Sequence, residues 1–281
     1  MGINKINKSI IVVPARLDSS RLPKKVLEEI KGKPMLIRVL EQCKKASGPS
    51  EVILATDSNE LSILARNIGI HSLITEKFCN SGSERIASVI KELMGITWKE
   101  QISDIDKVNS FFHEKLKQTL IINVQGDQPF LDPKVITRMY EYFSTSKESP
   151  EVVTPIYRLK NKDIHNEAVV KTLLNQKKEA IYFSRTPLPF IRDKAKSTWH
   201  LHYDYWGHVG IYGYRADILF NWFNYPISAL EKCEKLEQLK LIDAGIKIST
   251  FVVEGDFISI DTAEQLENAR NLNEEDFSIL R

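Results

Sequence analysis

Short apolar runs alternate with amphipathic segments along the first half of the chain. The apolar runs are rich in β-branched residues and predict buried strands, whereas the amphipathic segments predict helices. The predicted strands are residues 10–13, 51–55, 71–74 and 120–124. The predicted helices are residues 35–45, 61–67, 83–93 and 134–143. This alternation is typical of an α/β fold with a mostly parallel mixed central sheet and helices on both faces.

Three residues predict where elements begin or end. Pro14 has no N–H to donate, so pairing of the first strand is expected to stop there. Ser83 is expected to cap the helix that it opens. Gly69 follows the second helix and is expected to provide its C-terminal cap.

The second half of the chain has a more mixed pattern. Its predicted strands are residues 152–155, 169–174, 211–214 and 248–253, and its predicted helices are residues 229–242 and 264–271. The polar segment 95–118 is interpreted as an insertion, either a loop or a surface helix. Since no change of composition marks a boundary, residues 1–281 are predicted to form a single domain.

Composition excludes several classes of protein. The 42% hydrophobic and 27% charged residues are ordinary for a globular chain. The net charge of +2 gives no broad basic surface, so no nucleic-acid partner is predicted. No apolar run reaches 18 residues, which excludes a helical membrane span. Three widely spaced cysteines and a polar N-terminus without a signal-peptide core indicate a reducing cytoplasm.

A basic, hydroxyl-rich loop follows the first predicted strand. Loops at strand ends form the usual ligand-binding edge of an open α/β sheet. The polar residues of this loop are Arg16, Ser19, Ser20, Arg21, Lys24 and Lys25. Several cations and two hydroxyls suit a triphosphate, whose charge must be neutralised before a nucleophile approaches. The alternative is a solvated basic loop without a ligand.

Two aspartates follow apolar strands elsewhere in the chain. Asp127 lies beside Gly126 after the strand 120–124, and Asp261 precedes a predicted helix. Carboxylates from two loops can hold Mg²⁺ when substrate oxygens and water complete its coordination. Either aspartate alone is more readily explained as a turn or cap residue, so the interpretation depends on both lying near the basic loop.

Two further groups of polar residues are candidates for binding. The segment 81–85 opens a helix and ends in Arg85, whose guanidinium suits a carboxylate or phosphate. His200, His202 and His208 lie among aromatic residues and lack zinc-finger or HExxH spacing. A polar, aromatic pocket for a sugar-like ligand is therefore preferred over a metal site.

These motifs together carry a resemblance to a known family. In chain order they are PARLDSSRLPKK, ATD, NSGSER, NVQGDQP, VVK, YFSR, HVGIYGYR, LEQLK and IDTAEQL. The set is similar to the 3-deoxy-manno-octulosonate (Kdo) cytidylyltransferases, or CMP-Kdo synthetases, over residues 10 to about 272. The resemblance implies a Rossmann-like nucleotidyltransferase (GT-A-like) fold in a cytoplasmic homodimer. It also implies CMP transfer from CTP to the anomeric hydroxyl of Kdo for lipopolysaccharide biosynthesis, with pyrophosphate released.

The resemblance also implies roles for individual residues. Catalytic residues would be Arg16, Lys25 and Asp127. CTP would contact Arg16, Arg21, Lys25, Ala55, Thr56, Asp57, Ser81, Gly82, Ser83 and Asp127. The sugar would contact Arg85, Gln125, Arg185, His208, Tyr212, Glu237 and Gln238. Asp127 and Asp261 would bind Mg²⁺ as the cofactor. The partners implied are CTP and an acidic 3-deoxy sugar, with neither nucleic acid nor membrane.

Alternatives remain open at this point. The same reaction could act on 8-amino-Kdo or another acidic nonulosonate, because the residues around the histidines decide the sugar. A glycosyltransferase on a similar fold would commonly carry a DxD motif, whose first aspartate Gly126-Asp127-Gln128 lacks. A non-catalytic nucleotide-sugar sensor would not need both metal ligands. Lys24 stands where the family usually has glycine, which raises a question about the conformation of the basic loop.

Overall fold

The computed structural model describes residues 6–19, 21–95, 105–255 and 259–272, with residues 105–110 as backbone only. Internal contacts divide the chain into two compact units. The first unit comprises Met1–Ser149, Gly213–Phe223 and Gly255–Arg281, and the second comprises Pro150–Tyr212 and Asn224–Glu254. The predicted insertion at 95–118 lies partly outside the described residues, and its later part is a helix, Ile105–Lys117. The single-domain interpretation stays a prediction.

The first unit contains most of the helices. Its strands are β1 (Lys8–Ala15), β2 (Glu29–Ile30), β3 (Lys33–Pro34), β4 (Glu51–Thr56), β5 (His71–Ile74) and β6 (Thr119–Val124). Its helices are α1 (Met35–Lys44), α2 (Asn59–Asn67), α3 (Gly82–Ser88), α4 (Ile90–Leu93), α5 (Ile105–Lys117), α6 (Pro133–Thr145), α7 (Ala216–Phe220) and α10 (Ala263–Asn271). A one-turn 3₁₀ helix occupies Lys25–Leu27. Strand β11 (Ile211–Arg215) carries the chain from the second unit back into the first.

Four parallel strands form the sheet of the first unit in the order β5-β4-β1-β6. Val12 is in register with Ile53 on one side and with Asn123 on the other. Residues 10–13 are at most 1% exposed, as the apolar run predicts. Because the strands are parallel, their carboxyl ends meet at one edge, and the loops after β1, β4 and β6 share that edge.

The prediction that pairing of the first strand stops at Pro14 is wrong. Strand β1 continues to Ala15, and Pro14 is in register with Ala55 of β4. Pairing with β6 ends earlier, at Val12 opposite Asn123. Proline removes only one donor from a ladder, and here the strand has already lost one of its two neighbours.

Side-chain caps fix where the helices begin. Ser58 accepts a hydrogen bond from the Leu61 N–H, which starts α2 two residues before the predicted position. The predicted cap at Ser83 is wrong, because Ser81 caps α3 by accepting from the Glu84 N–H at 3.1 Å. Thr262 and Gln265 form a reciprocal capping box at the start of α10.

The second unit is built on antiparallel pairs. Its strands are β7 (Val152–Arg158), β8 (Lys171–Leu174), β9 (Ala180–Ser184), β10 (Trp206–His208) and β12 (Ile248–Val252). Its helices are α8 (Ala229–Glu234) and α9 (Leu239–Asp243), with 3₁₀ turns at Asn161–Asp163 and Lys196–Leu201. Strand β10 is antiparallel to β7 and β8, and β8 is antiparallel to β9. Strand β12 runs parallel to β7. Parallel and antiparallel pairing together confirm an α/β fold with a mixed sheet.

Two predicted helices are each two short ones, and the first, 83–93, breaks at Val89 between α3 and α4. The segment 229–242 breaks after α8, where Lys235 adopts a left-handed conformation with φ of 57°. Its amphipathic pattern therefore describes two helices rather than one. Strands β2, β3, β9 and β10 were not predicted. Three of them are only two or three residues long, and β9 lies between the charged residues Glu179 and Arg185.

Membrane-spanning character can be judged for the helices within the described ranges. None of them combines the length and the apolar composition needed to cross a bilayer.

Candidate active site

Lys25 joins two carboxylates in the first unit. Its Nζ donates to Asp127 Oδ2 at 2.8 Å and to Asp261 Oδ1 at 2.8 Å. The main-chain N–H of Ile260 donates to the Asp127 carbonyl at 3.0 Å, which brings the two aspartate loops together. The structure thus assembles one cation and two carboxylates from three separate loops, as the sequence predicts.

The lysine of this trio is largely shielded from water. The Lys25 side chain is 12% exposed, compared with 22% for Asp127 and 31% for Asp261. Burial by itself lowers the pKa of Lys25, but the charges of and hydrogen bonds to Asp127 and Asp261 outweigh it and raise the pKa. Lys25 is therefore a permanent cation at neutral pH and can act on phosphate only electrostatically.

The rest of the basic loop lies closer to solvent. Arg21, with a side chain 66% exposed, pairs with Asp261 at 3.1 Å. Arg16 donates to the main-chain carbonyl of Cys79 at 3.4 Å. Lys24 has φ of 54° and ψ of 28°, the left-handed conformation that glycine adopts without strain. Ser20 lies outside the described residues.

The donor set of Asp127 and Asp261 suits a hard divalent cation, because both contribute carboxylate oxygens close to one point, the Lys25 ammonium. Among the described residues there is no cluster of three or more histidine, cysteine, aspartate or glutamate side chains that could hold a metal. A metal at the two aspartates would therefore take its remaining ligands from substrate and water.

The turn before α3 packs against the loop after β6. A Cβ at Gly82 would lie 2.9 Å from Gln125 Nε2 and 3.0 Å from Pro14 Cγ, so the close approach requires glycine. Gln125 Nε2 donates to Asn123 Oδ1 at 3.0 Å. Ser83 is fully buried, with its hydroxyl 2.9 Å from Tyr214 Oη. Ser83 therefore presents no exposed surface to a ligand in this structure.

Arg85 is committed to an internal ion pair. Its Nη2 lies 2.9 Å from Asp57 Oδ2, and its Nη1 donates to Thr75 Oγ1 and, at 3.3 Å, to the Glu76 carbonyl. The Arg85 residue is 2% exposed. The adjacent strand-end residues Ala55 and Thr56 are also buried. In this arrangement Arg85 fixes the Asp57 carboxylate and does not present its guanidinium to solvent.

The second unit holds five of the predicted sugar-binding residues: Arg185, His208, Tyr212, Glu237 and Gln238. The Arg185 guanidinium donates from Nε to the Glu234 carbonyl at 3.0 Å and from Nη1 to the Glu167 carbonyl at 3.1 Å. The Gln238 residue is 2% exposed, and its Nε2 has no partner among the described residues. An unpaired buried amide is costly, so it marks a position that a ligand could satisfy.

His208 lies against two aromatic rings. Its ring centroid is 5.1 Å from that of Phe183 and 5.3 Å from that of Tyr212. Its Nε2 is buried and has no hydrogen-bond partner in the described part of the chain. Desolvation lowers the pKa of His208 to about 3, so the ring is neutral at physiological pH. A neutral imidazole can bind a hydroxyl as donor or acceptor.

The other two histidines line a separate open pocket of about 530 Å³ in the second unit. Tyr203 and Trp206 also line it, with Lys178 Nζ 5.5 Å from the Trp206 ring centroid. The structure therefore does not bring the three predicted histidines together: His200 and His202 line this pocket, and His208 does not.

Glu234 is a site residue that the sequence did not reveal. Its carboxylate accepts from the Ser184 hydroxyl at 2.7 Å and from the Arg185 N–H at 3.0 Å. It lies in a run of charged residues that the pattern assigns to a solvated helix surface. Only its place at the end of the interrupted helix α8, where the chain turns at Lys235, distinguishes it from its neighbours.

Comparisons with known proteins show which family this chain is similar to. The cytidylyltransferase family model matches residues 10–248. A 3-deoxy-manno-octulosonate cytidylyltransferase of Chlorobaculum tepidum is 32% identical over 272 residues, covering 96% of this chain and 98% of the relative. A relative with the same name from Polynucleobacter necessarius is 36% identical over 267 residues, covering 94% of each chain.

Solved structures show the same relationship. A CMP:2-keto-3-deoxy-manno-octonic acid synthetase complexed with CTP superposes with a TM-score of 0.78 at 32% identity, covering 94% of this chain and 97% of that one. A cytidylyltransferase of Leptospira borgpetersenii, 15% identical over 94% of this chain and 85% of its own, shares the fold with a TM-score of 0.55. The nucleotidyltransferase fold, the strand-end loops and the near full-length similarity lead to one conclusion: this chain belongs to the cytidylyltransferase family.

Proposed function

We propose that the protein transfers CMP from CTP to the anomeric hydroxyl of 3-deoxy-manno-octulosonate and releases pyrophosphate. The observation that carries this proposal is the bridge from Lys25 to Asp127 and Asp261 at the strand-end loops of the first unit. The activity in the names of the full-length relatives supports the choice of reaction and of sugar.

The basic loop would bind the triphosphate. Arg16, Arg21 and Lys25 supply three positive charges, of which Arg16 and Arg21 are exposed and Lys25 is largely shielded. Their contact with the leaving pyrophosphate would stabilise the negative charge that develops on it as the anomeric oxygen attacks the α-phosphorus in line. No covalent enzyme intermediate is required, so these residues act by position and charge.

The two aspartates would hold Mg²⁺ as the cofactor. When bound, the ion would withdraw charge from the phosphates and acidify the attacking hydroxyl. Asp127 and Asp261 would supply its protein ligands, while Lys25 would move from the carboxylates towards phosphate.

The second unit would contribute most of the contacts to the sugar. Arg185 suits the sugar carboxylate, because its guanidinium is charged and Nη2 can donate to a carboxylate oxygen. His208, Tyr212 and Gln238 would contact hydroxyls, with His208 neutral as its lowered pKa requires. Glu237 completes this set. In the first unit, Gln125 remains a candidate, and Arg85 would act by holding Asp57.

The family resemblance also supports a proposal for the cellular setting. The protein would act in the cytoplasm as a homodimer that supplies activated sugar for lipopolysaccharide. Light scattering would then give twice the chain mass of 32.3 kDa.

The test is pyrophosphate release from CTP and Mg²⁺ with Kdo, 8-amino-Kdo and N-acetylneuraminate in parallel. Release with Kdo alone supports the proposal. Release with only one of the other sugars keeps the reaction and changes the substrate. If folded protein releases no pyrophosphate with any of them, the proposed reaction is rejected.

Replacing a metal ligand tests the site. Asp127→Asn keeps the side-chain shape but removes the charge, so we expect turnover to fall by at least about a thousandfold. Thermal unfolding should change little, because Lys25 keeps Asp261 as a partner. Glu141→Gln, an exposed change on α6 of the same unit, is the matched control and should keep full activity. Wild-type turnover in Asp127→Asn would exclude Asp127 as a metal ligand.

A further inference from the structure

Lys171 is a buried lysine at the start of β8, and the proposed reaction gives it no role. The residue is 1% exposed, although lysine is almost never fully buried without a charged partner. Its Nζ donates to two main-chain carbonyls, Asn166 at 2.6 Å and Arg185 at 2.7 Å, rather than to a carboxylate. An apolar side chain would be less costly to bury, so packing alone does not account for a lysine here.

One of its two acceptors belongs to the candidate sugar-binding arginine. Lys171 pairs with Ser184 across β8 and β9, which places its ammonium beside the residue that follows β9, Arg185. The second acceptor, Asn166, is adjacent to Glu167, and the Glu167 carbonyl accepts from Arg185 Nη1 at 3.1 Å. Lys171 therefore ties together the main chain of Arg185 and the loop that orients its guanidinium.

Hydrogen bonds hold the main-chain N–H, Nε and Nη1 of Arg185 and leave Nη2 available. The Glu234 carboxylate accepts from the Arg185 main-chain N–H at 3.0 Å. The Glu234 carbonyl accepts from Arg185 Nε, also at 3.0 Å. With Nη1 bound to Glu167, Nη2 has no acceptor among the described residues. A guanidinium fixed on one side and unoccupied on the other is suited to meet an anionic ligand with little loss of entropy.

We propose that Lys171 is a positioning residue for the acidic sugar: it fixes the Arg185 carbonyl and the 166–167 loop so that Arg185 presents Nη2 to the sugar carboxylate. This inference rests on the proposed function. Lys171 does not touch the substrate and acts only through Arg185.

The electrostatic surroundings of Lys171 support this role. Burial lowers its pKa to about 8, a shift that Glu167, Glu234 and Asp163 oppose and Arg185 reinforces. These are the charged groups that influence it. Loss of its charge above pH 8 weakens both hydrogen bonds, since charged donors bind more strongly than neutral ones. The affinity for the sugar should therefore decline in that range.

The test compares Lys171→Met with Lys177→Met, an exposed lysine in the same unit. At pH 7 we expect KM for the sugar to rise about tenfold in Lys171→Met, with KM for CTP unchanged within about twofold. Lys177→Met should match the wild type. An unchanged KM for the sugar, or equal changes in both KM values, overturns the proposal.

Two further measurements keep the inference testable. Amide hydrogen exchange at Arg185, whose N–H is bound to Glu234, should be faster in Lys171→Met, and equal exchange overturns the proposal even if no sugar is turned over. If Lys171→Met does not fold, the wild type decides: KM for the sugar must rise above pH 8 while KM for CTP stays level. A wild type without turnover rejects the proposed function separately.

Discussion

At the scale of single residues, two ionisable groups of the second unit have pKa values displaced mainly by burial. The pKa of Lys171 falls from 10.5 to about 8 and that of His208 from 6.5 to about 3. In both, removal from water disfavours the charged form, and no carboxylate in the described part of the chain forms a direct ion pair that would compensate. Each shift makes the free energy of unfolding depend on pH.

For Lys171 the dependence lies on the alkaline side. Below pH 8 the lysine is protonated in both states, so its unfavourable burial is fully present. Between pH 8 and 10.5 the native protein loses this proton while the unfolded chain keeps it, so stability should rise by up to about 3 kcal/mol. Urea unfolding from pH 7 to 10 measures it. Lys171→Met should lack this rise, and identical profiles for the two proteins would contradict the assignment.

For His208 the dependence lies on the acidic side. As pH falls below 6.5, the unfolded chain takes up a proton that native His208 refuses, so the native state loses stability. Other groups titrate there too, and the comparison is therefore with His208→Gln, which cannot be protonated. The wild-type unfolding temperature should fall more steeply between about pH 6.5 and 4.5 than that of His208→Gln. Parallel curves would show that His208 is not buried as described.

At the scale of elements, the loop after β1 combines a strained residue with the main cation of the site. Lys24 is in the left-handed conformation directly before Lys25, the first residue of the 3₁₀ helix. This conformation explains why glycine would be favoured at the position, as the family resemblance indicates. It also fixes the direction in which Lys25 leaves the turn towards Asp127 and Asp261.

The effect of a substitution at Lys24 on the free energy of unfolding should depend on how well the new residue tolerates a positive φ. Lys24→Gly should raise the free energy of unfolding by up to about 1 kcal/mol, since relief of strain is partly offset by the entropy of glycine. Lys24→Val should lower it by about 1 kcal/mol or more, because a β-branched side chain is disfavoured at positive φ. Chemical denaturation of the three proteins gives the order. A valine variant as stable as the glycine variant would contradict it.

Helices α8 and α9 show where element prediction fails. The segment from Ala229 has a continuous amphipathic pattern, yet Lys235 turns it after Glu234. Neither glycine nor proline marks the break. The turn is explained by distant contacts, since the Glu234 carbonyl and carboxylate both bind Arg185.

At the scale of the whole molecule, the candidate residues divide between the two units. The first unit holds the basic loop and both aspartates, and the second holds Lys171, Arg185, His208 and Gln238. With a net charge of only +2, selectivity for the two proposed anionic substrates must come from these local groups rather than from the electrostatic field of the whole chain.

This division predicts separable kinetic effects. Arg21→Gln in the first unit should raise KM for CTP severalfold and leave KM for the sugar unchanged. Gln238→Leu in the second unit should raise KM for the sugar and not for CTP. The variant should keep its stability, because the substitution removes a buried amide that has no hydrogen-bond partner among the described residues. Steady-state kinetics with each substrate varied in turn tests both. A rise in KM for CTP in Gln238→Leu would contradict the assignment.

Local pattern predicted the four parallel strands of the first unit, helices α1, α2, α6 and α10, the family and a set of candidate site residues, because burial periodicity and motif chemistry are properties of neighbouring positions. It did not predict the short strands β2 and β3. Tertiary structure decided which polar groups meet. Lys25 is 102 positions from Asp127 and 236 from Asp261. Arg85 is 28 positions from Asp57, and Glu234 is 49 from Arg185. A hydrogen bond needs atoms within about 3 Å. Only the folded chain sets that distance, so sequence alone could nominate all of these residues except Glu234, and it could not assign any of them a partner.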